Sequence, residues 1–246
     1  MHVYIYDDFL TKGKYTKTVN RIETRLTDLG LSGKIVRLSN IKNFKGVIHG
    51  EVKRGAKTIV AVGNDATFNK LLNVLLCDEI SFFFKNLLLA FIPVEPSLIG
   101  KSLGINNYQE ACNILLARRN EKINVAQANK HFFISQAYIN NANTEIKIGE
   151  DFTVKPLEKG GSYIINMPSV ELATQMPSVN PKNSNLHVYI QDRNSSSFFT
   201  ANTVAVSNKS GGYLNLDNTI NLPLPVKLSV SDKQINLIVG KNRVFI

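Results

Sequence analysis

Two different rhythms of apolar and polar residues divide this chain. The first half alternates short apolar runs with segments of helical spacing. His2 to Tyr6 is an apolar run of β type. Between Tyr15 and Leu29, the residues Val19, Ile22, Leu26 and Leu29 recur at spacings of three, four and three, which is one face of a helix. Gly30 is a natural stop for it. Lys34 to Leu38 predicts a second strand, and Thr58 to Val62 (TIVAV) a buried third. Phe68, Leu71, Leu72, Leu75 and Leu76 define another amphipathic helix. Leu88 to Ile92 predicts a further strand ended by Pro93, and Ala111, Ile114 and Leu115 a helix closing near Arg118 and Arg119. Strands alternating with helices imply a mostly parallel sheet with helices on both faces.

From Lys122 onward the pattern changes. Short β-type runs follow one another: INVAQA, HFFISQAY, TEIKI, FTVKP, SYIINM, LHVYI, NTVAV, VKLSV and INLIV. Asn, Ser, Gly, Pro and Asp separate them, the residues that turns require. The expected fold is an α/β N-terminal domain followed by an all-β antiparallel sandwich. The boundary falls near residues 119–125, giving a nucleotide-binding-like domain at 1–122 and a sandwich at 123–246.

Composition adds a charge. The chain of 246 residues carries a net +10, and residues 1–125 hold 18 Lys+Arg against 11 Asp+Glu. Anionic partners are expected: nucleotide phosphates or an anionic membrane surface. The basic residues are scattered, with no dense run and no aromatic-interleaved motif, so nucleic acid is not expected. Cys77 and Cys112 lie in helical segments and are too far apart in sequence for a metal knuckle. The four histidines show no metal-ligand spacing. Asp7 and Asp8 follow the first strand directly, so no secretory leader is expected. The apolar stretch from Ile80 to Val94 is broken by Lys85 and Asn86 and is too short to span a bilayer. A cytoplasmic protein, peripheral at the membrane at most, is expected.

The segment with most chemistry is TIVAVGNDATFNKLLN, Thr58 to Asn73. A buried strand runs into Gly63-Asn64-Asp65-Ala66-Thr67, and a helix begins at once. Ligands of open α/β sheets bind beyond the carboxyl ends of strands, where small residues allow close approach and helix amides suit an anion. Asp65 can cap the helix, or serve as a metal-linked or proton-accepting carboxylate. Gly100-Lys101-Ser102 looks like the end of a P-loop, but Glu95 stands where its first glycine must be.

Thr58 to Asn73 also resembles the Gly-Gly-Asp-Gly-Thr-x-Asn-Glu signature of the diacylglycerol kinase and NAD kinase superfamily. Gly63, Asp65, Thr67 and Asn69 match; Asn64 and Ala66 stand at glycines, and Lys70 at the glutamate. Phe91 to Ile105 resembles the family's Ile-Pro-x-Gly-Thr stretch through Ile92, Pro93 and Lys101 to Ile105, with Glu95, Pro96, Ser97 and Leu98 in place of its core. KINVAQANKHFF, Lys122 to Phe133, is similar to the crossing into the second domain, with Asn124 at its Asp. Met176 to Ile190 keeps Pro177 and Leu186, but Ser178, Asn183 and Ser184 replace Asp, Asp and Gly. Val239, Gly240 and Lys241 stand in for a final Asp-Gly-Glu.

The resemblance implies an ATP-dependent lipid kinase that phosphorylates a lipid hydroxyl with Mg²⁺, its site eroded. Asp65 would be the catalytic carboxylate, with Gly63, Asn64, Ala66, Thr67, Asn69 and Lys12 around the nucleotide. The lost acids imply the alternative, a non-catalytic pseudokinase binding nucleotide or lipid, because neutral or cationic residues cannot replace a carboxylate as metal ligand or base. Asp7 and Asp8 would repel a phosphate unless a metal or Lys12 and Lys14 offset them.

Overall fold

The computed structural model describes residues 1–38, 43–76, 86–150, 152–157, 160–192 and 195–245. The chain forms two compact units: residues 1–123 with 235–243, and residues 124–234 with 244–246.

In the first unit, β1 (His2–Tyr6) leads through two 3-10 turns to α1 (Thr16–Asp28), β2 (Gly33–Arg37) and α2 (Phe44–Lys53). Then come β3 (Thr58–Gly63), α3 (Asp65–Leu75), β4 (Leu88–Pro93), the short α4 (Leu98–Ser102) and α5 (Tyr108–Ala117). The strands lie in the order β2-β1-β3-β4 and all pairs are parallel. β3 is buried along its whole length, which is why it reads as a continuous apolar run. The helical stripe seen in the sequence is the face that α1 buries: Val19, Ile22 and Leu26. α3 buries Phe68, Leu71, Leu72 and Leu75, and the Phe68 ring meets Phe91 of β4 at 5.3 Å. Each such fully buried side chain contributes roughly 1.5–3 kcal/mol.

β5 (Asn120–Ala128) begins in the first unit and ends in the second. There follow β6 (His131–Phe133), β7 (Gln136–Asn140), β8 (Thr144–Ile148), β9 (Phe152–Val154), β10 (Gly160–Ile165) and one helical turn, α6 (Val170–Ala173). The chain continues with β11 (Leu186–Asp192), β12 (Ser196–Ala201), β13 (Thr203–Asn208), β14 (Tyr213–Leu216), β15 (Ile220–Pro223) and β16 (Val226–Ile238). One sheet of the second unit is antiparallel in the order β12-β11-β10-β7-β14-β15. The other holds β9, β8, β13 and the first part of β16, again antiparallel. Between them lies one core, with Ala137, Ile139, Ile164 and Val188 from one sheet and Ile146, Val204, Val206 and Leu228 from the other. The expected α/β domain and antiparallel sandwich are both present.

Three local expectations need correction. The run HFFISQAY is two strands in different sheets, divided at Ile134 and Ser135, whose amides donate with that of Gln136 to the buried Asp217 carboxylate. VKLSV and INLIV are one thirteen-residue strand, β16, in which Ser231 and Asp232 form no turn. The last part of β16 then returns to the first unit, where Asn236 and Leu237 pair in parallel with Leu88 and Leu89. A single cut at 122/123 has no place for that return.

Cys112 is buried and free, its thiol pushed up to about 11 by burial; Cys77 lies outside the described residues. Among the described residues no helix is long and apolar enough to cross a membrane, which says nothing about strands.

Candidate functional site

The candidate site lies where β1, β3 and β4 end side by side in the first unit. Two hydrogen bonds extend the ladder past the strands, from Asp7 N to Val62 O at 3.2 Å and from Val94 N to Gly63 O at 2.9 Å. Asp7, Asn64 and Glu95 thus emerge from neighbouring strand ends, at the edge where α/β sheets bind ligands.

The turn after β3 is held by its own side chains. Asn64 caps α3: its Oδ1 accepts from Thr67 N at 3.1 Å, while Thr67 Oγ1 accepts from Asn64 N at 3.1 Å. This reciprocal capping box satisfies two amides that a helix start leaves open. The Thr67 hydroxyl donates to Asp7 Oδ2 at 2.7 Å. Asn64 Nδ2 donates to Glu95 Oε1 at 3.0 Å, and the Tyr15 hydroxyl to Glu95 Oε2 at 3.2 Å. Lys14 sits over the Tyr15 ring at 4.6 Å. One polar network therefore links segments that lie up to 80 residues apart.

Asp65 points elsewhere. One carboxylate oxygen accepts from the Ser97 hydroxyl and the other from Leu98 N at 2.9 Å, at the start of α4. Ser97 in turn caps α4 through Gly100 N at 2.7 Å. Burial raises the Asp65 pKa; the donors from Ser97, Leu98 and Ile99 pull it down, and the negative charge of Glu95 pushes it up. A proton acceptor needs a lone pair directed at its substrate. Here donors from Ser97 and Leu98 fix the direction of the carboxylate at the start of α4 and leave a further lone pair on each oxygen.

The remaining predicted residues are dispersed. Gly63 is buried, and a Cβ on it would lie 2.2 Å from Thr67 Oγ1, so Thr67 already occupies the room that glycine leaves. Ala66 is exposed at the first turn of α3. Asn69 is buried within α3, and Asn73 Nδ2 donates to its carbonyl at 2.9 Å. Lys12 is exposed between the two 3-10 turns. Gly100, the end of the P-loop lookalike, lies in α4 with its Cα against Ser97, where a Cβ would come within 2.9 Å of Oγ. Asp7, Glu95 and Ser97, which in sequence read only as departures from a motif, are the residues the corner is built on.

Chemically, the corner sets the Asp7 and Glu95 carboxylates against the side-chain donors of Thr67, Asn64 and Tyr15. A triphosphate placed against it would face the Asp7 and Glu95 carboxylates, and would find the Gly63 hollow filled and the Thr67 amide taken. A phosphate held here would need those carboxylates offset, by Lys14 on the Tyr15 ring or by a bound cation. Among the described residues no group of three or more His, Cys, Asp or Glu is arranged to hold a metal ion. In the second unit, Asn124 is joined to its surroundings by neutral groups. Asn124 Nδ2 donates to the carbonyls of Lys182 and Asn183 at 3.0 Å each, and Gln234 Nε2 donates to Asn124 Oδ1 at 2.7 Å.

No family model matches the sequence, and neither does any curated protein. Solved structures are. Three from Bacillus anthracis str. Sterne, each carrying the name diacylglycerol kinase, share 15–16% identity with this chain. They superpose with TM-scores of 0.74–0.75, covering 98% of this chain and 97–98% of theirs. Nearly end to end, the chain has the two-domain fold of these diacylglycerol kinase structures.

Proposed function

We propose that this chain is a non-catalytic relative of the lipid kinases, a pseudokinase in which the phosphate corner has become a structural joint. The observation that carries this reading is the commitment of Asp65 to Ser97 and Leu98. Phosphoryl transfer is mostly positioning and charge neutralisation. An acidic corner whose donors and acceptors satisfy one another supplies neither. What remains is binding, and the net +10 supports contact with anionic lipid headgroups.

The test is transfer of the γ-phosphate from labelled Mg·ATP to diacylglycerol in mixed micelles. No lipid phosphate should form above the protein-free blank. Turnover that Asp65→Asn abolishes would overturn the proposal.

A second reading, an ATP-dependent lipid kinase, draws on the carboxylates of Asp7 and Glu95 beside the turn. With a divalent cation they could neutralise a phosphate. This reading requires Mg·ATP to stabilise the protein against heat, with the gain lost in Glu95→Gln.

A further inference from the structure

β10 and β11 are antiparallel neighbours, yet residues 166–185 do not turn directly from one to the other. They cross the outer face of the sheet, where Ile165 and Tyr189 point away from the core that Ile164 and Val188 enter. Both ends of this segment are pinned. Asn166 Nδ2 donates to the carbonyls of Asn124 at 3.0 Å and Ile134 at 2.9 Å, and the amides of Asn166 and Met167 donate to Ser135 O. At the far end Asn124 N donates to Pro181 O at 2.9 Å, and Asn124 Nδ2 holds the carbonyls of Lys182 and Asn183. The middle is held differently. It contains the single turn α6, and Leu172, Met176 and Val179 rest on Ile165, Tyr163, Tyr189 and Phe198. The Tyr189 hydroxyl adds one long bond to Gln175, at 3.4 Å.

One polar ring lies in the floor beneath. His187 sits between its cross-strand partners Ile165 of β10 and Thr200 of β12, and stacks on Phe198 at 5.4 Å. Its Nδ1 shares a hydrogen bond with Thr200 Oγ1 at 3.2 Å, while Nε2 is buried with no partner among the described residues. A neutral imidazole needs to place only one N–H, and Thr200 can take it. A second proton makes Nε2 a donor as well, enclosed without an acceptor. The Phe198 face suits a cation but gives that N–H no lone pair.

None of the side chains packed with the ring is charged. From the three strands it is faced by Ile165, Tyr163, Tyr189, Phe198 and Thr200, and the charged residues of the crossing segment, Glu171 and Lys182, are both exposed. Burial is what lowers the imidazole pKa below 6.5. Protonation must therefore be relieved by letting water in. β12 is laddered to β11 along its length, from Ser196 to Ala201, whereas the middle of the crossing segment has no ladder. Segments with few buried contacts open at the lowest free energy.

We propose that residues 170–180 form an acid-released lid, which lifts between its pinned ends when His187 gains a second proton and uncovers the rings of Tyr163, Tyr189 and Phe198. This is independent of whether the first unit transfers phosphate.

Hydrogen exchange of the full chain, read by mass spectrometry at about pH 7.5 and about pH 5 with times scaled to the intrinsic rate, tests it. Each pH unit below the imidazole pKa favours the open form by up to about tenfold, so protection of residues 170–180 should fall about tenfold while β10 and β11 keep theirs. His187→Gln should leave the segment equally protected at both values, and Glu171→Gln should respond like the parent chain. In the parent, the imidazole titration followed by NMR should share its midpoint with the loss of protection, which decides the matter even where His187→Gln does not fold. Equal protection at both values in the parent would overturn the proposal. So would a response that His187→Gln keeps or Glu171→Gln loses. A loss confined to β12, or spread over the whole second unit, would give the relief to the sheet edge or to global unfolding and leave no lid.

Discussion

Thr67 fills the space that a side chain on Gly63 would need, with Oγ1 2.2 Å and Cβ 2.7 Å from the position of such a Cβ. In a phosphate-binding turn a glycine here would let backbone meet ligand. In this protein it lets the threonine reach both Asn64 and Asp7. Gly63→Ala should therefore push Thr67 out of two hydrogen bonds and cost about 1–3 kcal/mol. Thr67→Ala removes the clash. Urea unfolding of the two single variants and the double should show a strongly non-additive pair. Additive losses would mean that the two residues act separately.

Asp217 is fully buried, and its carboxylate accepts from three consecutive amides at 2.8–3.1 Å. It also starts the tight turn between β14 and β15, where it and Asn218 have φ of +48° and +56°. Positive φ at both central residues makes a tight turn closed by Thr219 N donating to Leu216 O at 2.8 Å, and Asp and Asn tolerate it. Asp217→Asn keeps the turn but replaces one acceptor with a donor that faces amides. It should cost about 1–3 kcal/mol, with Asp217→Ala at least as damaging. Chemical denaturation followed in the second unit checks this, and a neutral Asp217→Asn would contradict it.

His187 is buried, stacks on Phe198 at 5.4 Å and shares a hydrogen bond with Thr200 Oγ1 at 3.2 Å through Nδ1. Burial lowers its pKa below the ordinary 6.5. The unfolded chain then binds the proton more readily than the folded one. Stability contributed by neutral His187 is present above pH 6.5 and is lost as pH falls through the lowered value. Melting temperatures from pH 7.5 down to about 5 should decline less steeply in His187→Gln than in the parent chain. Parallel profiles would exclude this histidine as a source of acid sensitivity.

Where burial and periodicity coincide, the sequence is readable. The stripe on α1, the wholly apolar β3 and the leucines of α3 each sit where their spacing puts them. β12, β14 and β15 pass unread, because β14 and β15 alternate over only four positions each and β12 sets its two phenylalanines side by side among polar residues. The Asp217-Asn218 pair between Leu216 and Ile220 was the one available sign of that last hairpin. α2 is missed for another reason: among its few buried residues is Glu51, a carboxylate held by Lys34 at 2.7 Å and Arg54 at 2.6 Å. At the candidate site the motif residues are visible, but their partners are not. Thr67 meets Asp7 across 60 residues and Asp65 meets Ser97 across 32, and no local pattern encodes such pairings.

The joint depends on Asp65 as a structural carboxylate. Residues kept for catalysis are often strained or poorly satisfied, and removing them tends to stabilise a protein. A carboxylate that caps a neighbouring helix does the opposite. The unfolding free energy of Asp65→Ala, measured by urea titration against the parent chain, separates the two. A loss of about 1–3 kcal/mol is predicted, as Ser97 and Leu98 lose their acceptor. A variant as stable as the parent, or more so, would contradict the claim that this corner is a joint.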